Sequence, residues 1–84
     1  EVEAALLALD GVADAAVFGV PDERLGEIVA AAVVGDADVE ALGIALRSTL
    51  SGYKVPEHWI RVDPLPRNTN GKVDRAALRA MVGN

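Results

Sequence analysis

The residues best suited to chemistry lie near the end of the chain. Arg67-Asn68-Thr69-Asn70-Gly71-Lys72 is a polar run. Within it, Asn70-Gly71 favours a tight turn, because both residue types tolerate positive φ. A turn there would hold Lys72 at an exposed tip, where its ammonium could enter a partner's cleft and meet an anion. Asn-Gly turns are common and a flanking lysine is usually just solvated, so these residues by themselves favour a plain solvated turn. Arg47, on an expected helix, is either a surface charge or a phosphate contact. Lys54 follows Tyr53 in a connector, where packing of the ring is the simpler role. Arg67 and Arg75 complete the basic candidates, and Asp74 reads as the cap of a last helix or the partner of a nearby base. Asp22, Glu23 and Glu27 are acidic neighbours without a metal-ligand spacing and read as a solvated turn. His58 lacks a visible acid–nucleophile partner and reads as structural. With one histidine and no cysteine there is no zinc set, thiol nucleophile or disulfide framework. No Gly-rich phosphate loop is present.

The elements that must position these groups follow from hydrophobic spacing. Val2, Ala5, Leu6 and Leu9 fall at helical intervals before Asp10-Gly11, which suggests an amphipathic helix closed by glycine. Asp14 to Val20 predicts a strand, broken by Pro21-Asp22-Glu23. Ile28 to Val34, apolar on both faces, predicts a second and central strand. Asp38 can cap a helix carrying Val39, Leu42, Leu46 and Leu50, within which Gly43 costs about 1 kcal/mol against Ala; Ser51-Gly52 ends it. Trp59 to Val62 predicts a third strand, stopped by Pro64-Leu65-Pro66. Asp74 opens a final helix with Ala77, Leu78, Met81 and Val82 on its inner side. A hairpin joins the first two strands, so the fold class is α+β: a small three-stranded antiparallel or mixed sheet flanked by helices, with a tight turn before the last helix.

Composition narrows the function classes. The 84 residues are 51% hydrophobic, and eight glycines raise the apolar share to about 61%, above the ~45–50% of ordinary soluble domains. Such a chain has enough to bury and is not a disordered tail. Its length suits one small domain with a thin core, which argues against a stand-alone enzyme with a deep pocket of its own. The longest apolar run, Ile28 to Val34, is far short of the ~20 residues of a membrane span. No charged-then-apolar leader opens the chain, and a cytoplasmic location is expected. The start at Glu1-Val2-Glu3, without an initiator methionine, reads as part of a longer protein. Net charge is −5, but ten acids and one base occupy residues 1–46, against seven bases and three acids in 47–84. An anion would be drawn to the second half. Three aromatics and an acidic balance argue against a nucleic-acid platform.

Taken in order, the motifs resemble the small C-terminal domain of the adenylate-forming ligases: acyl-CoA synthetases, adenylation domains of nonribosomal peptide synthetases, and luciferases. The likeness is carried by Glu1-Val2-Glu3, Val12-Ala13-Asp14-Ala15-Ala16-Val17, Gly19-Val20-Pro21-Asp22-Glu23-Arg24-Leu25-Gly26-Glu27, Tyr53-Lys54-Val55-Pro56 and Leu65-Pro66-Arg67-Asn68-Thr69-Asn70-Gly71-Lys72-Val73-Asp74-Arg75. It covers essentially the whole chain. The resemblance implies that residues 1–84 are the lid of a ligase whose large N-terminal domain, absent here, binds ATP and a carboxylic acid. Lys72 is then the catalytic and ATP/adenylate-contacting lysine, and Asn70 and Gly71 form the turn that positions it. In a second step the domain presents another face, and the thiol of CoA or of a carrier protein's phosphopantetheine attacks the adenylate. Arg47 stands near where some acyl-CoA synthetases place a basic contact to CoA phosphate. Mg2+ is expected to arrive with ATP, without ligands from this chain, and no nucleic acid or membrane span is implied. The family's hinge residue and adjacent Gly-containing loop would precede Glu1, and the loop from Gly35 to Asp38 is short for the family. An acyl-CoA synthetase is the leading expectation, with a peptide-synthetase adenylation domain or a non-catalytic docking module of the same fold as alternatives.

Overall fold

The computed structural model describes residues 2–24, 26–49 and 55–83. Its elements run α1 (Val2–Leu7), β1 (Asp14–Asp22), β2 (Gly26–Val34), α2 (Val39–Arg47), β3 (His58–Arg61) and α3 (Arg75–Gly83). The sheet order is β1-β2-β3. β1 and β2 form the antiparallel hairpin, in register from Asp14 opposite Val34 to Asp22 opposite Gly26. β3 runs parallel to β2, from Ala30 opposite His58 to Val33 opposite Arg61. The α+β sheet is therefore mixed, and α2 is the crossover that a parallel pair requires.

Alternation along the strands divides the core into two. Ala15, Ala31 and Val33 face Leu6 of α1, Leu42 and Leu46 of α2, and Val55. Ala16, Phe18, Val20, Ala30 and Ala32 face Leu78 of α3 and Leu65. Consecutive strand residues point to opposite faces, so the run Ala30–Val33 is buried throughout, and β2 is central as its unbroken apolar pattern predicts.

Several boundaries differ from the sequence expectation for local reasons. β1 continues through Pro21 to Asp22. It lies at the sheet edge, where a residue without an N–H is tolerated. The break falls after Asp22, whose Oδ1 accepts from the Arg24 N–H at 2.8 Å. Asp38 caps α2 as expected, accepting from the Glu40 N–H at 3.1 Å. Asp74 does the same for α3 through the Ala77 N–H at 3.0 Å. Met81 is a correction: it is 53% exposed, because the stripe of α3 that meets this core is formed by Leu78 and Val82, four residues apart on one face. Leu50, Ser51-Gly52 and the Tyr53-Lys54 connector lie outside the described residues.

The loop joining β2 to α2 shows how tightly the chain is strapped. Gly35 adopts φ 132°, and a Cβ there would collide with the Gly11 carbonyl. The Arg61 guanidinium donates to the carbonyls of Gly35 and Ala37, tying this loop to the end of β3.

Candidate functional site

The chain reverses between β3 and α3 in the segment that carries Lys72. Arg67 and Val73 form an isolated antiparallel bridge. Inside it the Asn68 N–H donates to the Lys72 carbonyl at 2.8 Å, and the Gly71 N–H donates to the Asn68 carbonyl at 2.9 Å. Thr69, Asn70 and Gly71 thus make a three-residue loop, with Gly71 at φ 81°. This is a turn completed by a glycine bulge, a common solution for loops of that length. The tight turn expected at Asn70-Gly71 is present, and among the described residues only glycines have positive φ, so Asn70 takes its place in the turn without it.

Asn68 is the reason. Its Oδ1 accepts from the Asn70 N–H at 2.9 Å and from the Lys72 N–H at 3.1 Å. A side chain that hydrogen-bonds the backbone two residues ahead starts the turn before Asn70-Gly71 is reached. Sequence reasoning placed Asn70 and Gly71 as the positioning pair and missed Asn68. The signal was present, since asparagine at the first position of a polar turn has this bonding available.

The Lys72 backbone is therefore held on both sides by Asn68. Its side chain is different: the residue is exposed, and among the described residues its ammonium makes no hydrogen bond or ion pair.

Two arginines fasten this turn to the rest of the domain. Arg67 Nη1 donates to the Gly71 carbonyl at 3.1 Å, and Nη2 donates to Asp14 Oδ2 at 2.8 Å. Arg75 Nε donates to the Val17 carbonyl at 3.0 Å, and its Nη2 donates to Glu3 Oε2 at 2.8 Å. The same Glu3 oxygen accepts from the Val17 N–H at 2.8 Å. One turn further along α3, Arg79 Nε donates to the Gly19 carbonyl at 2.9 Å. β1 is the edge strand on this side, and side chains from α1 and α3 satisfy backbone groups that would otherwise recruit another strand. The basic second half of the sequence thus closes against the acidic first half. Arg61, Arg67, Arg75 and Arg79 are engaged internally, while Lys72 presents a cation unengaged among the described residues.

The other sequence candidates lie elsewhere. Arg47 ends α2 and lines an open groove of ≈ 560 Å³ with Ile44 and Trp59. α2 covers one face of the sheet and α3 the other, so Arg47 and the lysine turn are carried by elements on opposite faces. His58 is exposed on β3. Among the described residues no group of three or more His, Cys, Asp or Glu side chains gathers as a metal site, and no helix is long and apolar enough to cross a membrane.

Comparison with known proteins gives this geometry a context. Residues 1–72 match the family model described as the AMP-binding enzyme C-terminal domain. The chain is 51% identical over 85 residues to a methyl-dioxo-octahydroindenyl-propanoyl:CoA ligase of Mycobacterium tuberculosis, covering 96% of this chain and 17% of that protein. It is 46% identical over 79 residues to surfactin synthase subunit 1 of Bacillus subtilis, covering 93% of this chain and 2% of that protein. Among solved structures, ATP-bound MatB from Rhodopseudomonas palustris superposes with a TM-score of 0.91 at 38% identity, covering 99% of this chain and 17% of that one. The chain spans about a sixth of the length of the CoA ligases it matches.

Proposed function

The chain belongs to the family of AMP-binding enzyme C-terminal domains, and from that premise we propose that it is the mobile small domain of an AMP-forming acid–thiol ligase, an acyl-CoA synthetase, in which Lys72 is delivered to the reacting nucleotide. One observation carries the reading. Lys72 has its backbone held at N–H and carbonyl, yet its ammonium has no partner among the described residues. A rigidly mounted, unneutralised cation at an exposed tip is suited to an anion supplied by another domain.

The chemistry explains why such a cation is needed. A carboxylate oxygen attacks the α-phosphorus of ATP, the bond from that phosphorus to the bridging oxygen breaks, and pyrophosphate leaves. Two anions must approach while charge grows on the oxygens around phosphorus. A preplaced ammonium offsets the repulsion and stabilises that charge, as cationic clamps do in other phosphoryl transfers. Carrying it on a closing domain completes the site only when substrates are bound and excludes water from the acyl-adenylate. Mg2+ travels with ATP in this scheme, and this chain contributes no ligand to it. In the second half-reaction the domain turns another face to the site, a thiol attacks the acyl carbon, and AMP departs. Arg47 is the candidate on this chain for a CoA phosphate contact.

CoA as the thiol is supported by the CoA ligases among the relatives. The surfactin synthase likeness favours a second reading, in which the thiol belongs to a carrier protein's phosphopantetheine. The test is ATP–pyrophosphate exchange by the full-length chain with a panel of carboxylic acids, followed by CoA or a phosphopantetheinylated carrier as acceptor. Lys72→Ala should lower exchange by about 10²–10³ while thioester formation from a supplied acyl-adenylate continues. Equal loss of both half-reactions would overturn the role of Lys72. A folded protein without exchange on any acid would be a docking module instead.

A further inference from the structure

We propose that Arg67 is a positioning residue that locks the peptide plane carrying Lys72, with Asp14 as its anchor. The inference deepens the reading of Lys72 above and rests on it.

The Gly71 carbonyl and the Lys72 N–H belong to one planar peptide unit. Both of its polar ends are gripped by side chains from the start of the same turn. Asn68 Oδ1 accepts from the N–H at 3.1 Å, and Arg67 Nη1 donates to the carbonyl at 3.1 Å. The grip is needed because the unit begins at glycine, which populates both signs of φ with similar ease. Among the described residues, none beyond its chain neighbours comes within 4 Å of where a Gly71 Cβ would stand, so packing does not restrain it. Rotation of this plane would swing the Lys72 Cα–Cβ bond and redirect the ammonium. Arg67 is in turn held by Asp14 Oδ2 at 2.8 Å. That carboxylate stands on the first residue of β1, so the grip on the flexible loop is referred to the sheet. The two arms of one guanidinium fork span both acceptors, an arrangement a single ammonium does not reproduce.

Magnitudes separate this role from a merely structural one. The Arg67–Asp14 pair is well exposed, at 45% and 38% for the two side chains, and exposed pairs add little to stability. Displacement of a catalytic group by ~1 Å can nevertheless cost ~10²-fold in rate. Loss of Arg67 should therefore impair chemistry far more than folding.

The experiment uses the full-length chain. Arg67→Ala should lower kcat for ATP–pyrophosphate exchange about tenfold with KM for the acid unchanged. Thioester formation from supplied acyl-adenylate should match the parent protein, and the melting temperature should fall by no more than about 2 °C. Lys72→Ala is measured alongside. If Lys72→Ala leaves exchange intact, the reading of Lys72 fails and this inference with it. If Lys72→Ala abolishes exchange but Arg67→Ala matches the parent, this inference alone fails. If Arg67→Ala depresses both half-reactions equally, or its melting temperature drops sharply, Arg67 serves the fold and the inference is overturned.

Discussion

At the scale of single residues, the site separates two demands that are usually coupled. Lys72 contributes its backbone to the turn and its side chain to nothing within the described residues. Lys72→Ala should therefore change unfolding free energy by no more than about 0.5 kcal/mol, the range of surface substitutions away from special features. A melting curve checks this beside the exchange assay. Gly71 has the opposite profile. Its φ of 81° has open space around it, so an added Cβ meets backbone strain but no collision. Gly71→Ala should destabilise the domain by about 1–2 kcal/mol, measured by chemical denaturation. It should also lower exchange, because the loop would relieve strain by moving the plane that carries Lys72. Unchanged stability would mean that the alanine loop adopts another path at no cost.

At the scale of elements, α3 is mounted by one large contact and several polar ones. Leu78 is fully buried against the face formed by Ala16, Phe18, Ala30 and Ala32, while Arg75 and Arg79 hold the edge of β1. Leu78→Ala should cost about 2–5 kcal/mol, whereas Met81→Ala, at a position 53% exposed, should cost less than about 0.5 kcal/mol. Thermal unfolding of the pair distinguishes the inner face of α3 from its outer one. Comparable losses would mean that Met81 packs in solution. Because α3 follows the lysine turn directly, loosening the helix should also disturb the turn through Asp74, whose N–H donates to the Pro66 carbonyl at 2.8 Å.

At the scale of the whole molecule, the domain has a core on each side of one sheet and polar bonds closing its edge. Its radius of gyration is 12.4 Å, close to the ~12 Å of a compact domain of this length. The isolated 84 residues should unfold cooperatively on their own. They should catalyse no ATP–pyrophosphate exchange, since the proposed site is completed by another domain. Circular dichroism melting and the exchange assay on the same preparation check both halves of this expectation. Exchange by the isolated domain would contradict the two-domain reading.

Much of this arrangement was legible in the linear pattern. Ala15 to Val20 and Ile28 to Val34 bury both faces of their strands, and side-chain alternation makes that visible before any contact is known. Asp38 and Asp74 announce helix starts through capping chemistry that acts over two or three residues. The polar run ending in Lys72 marks an exposed tip for the same local reason. What required the tertiary structure were bonds between distant parts of the chain. Arg67 meets Asp14 across 53 residues, and Arg75 meets Glu3 across 72. The parallel placement of β3 and the outward turn of Met81 are equally non-local. Patterns within a few residues determine which elements form and which groups stay in water. Which arginine reaches which carboxylate depends on how those elements pack, and that geometry decides how Lys72 is held.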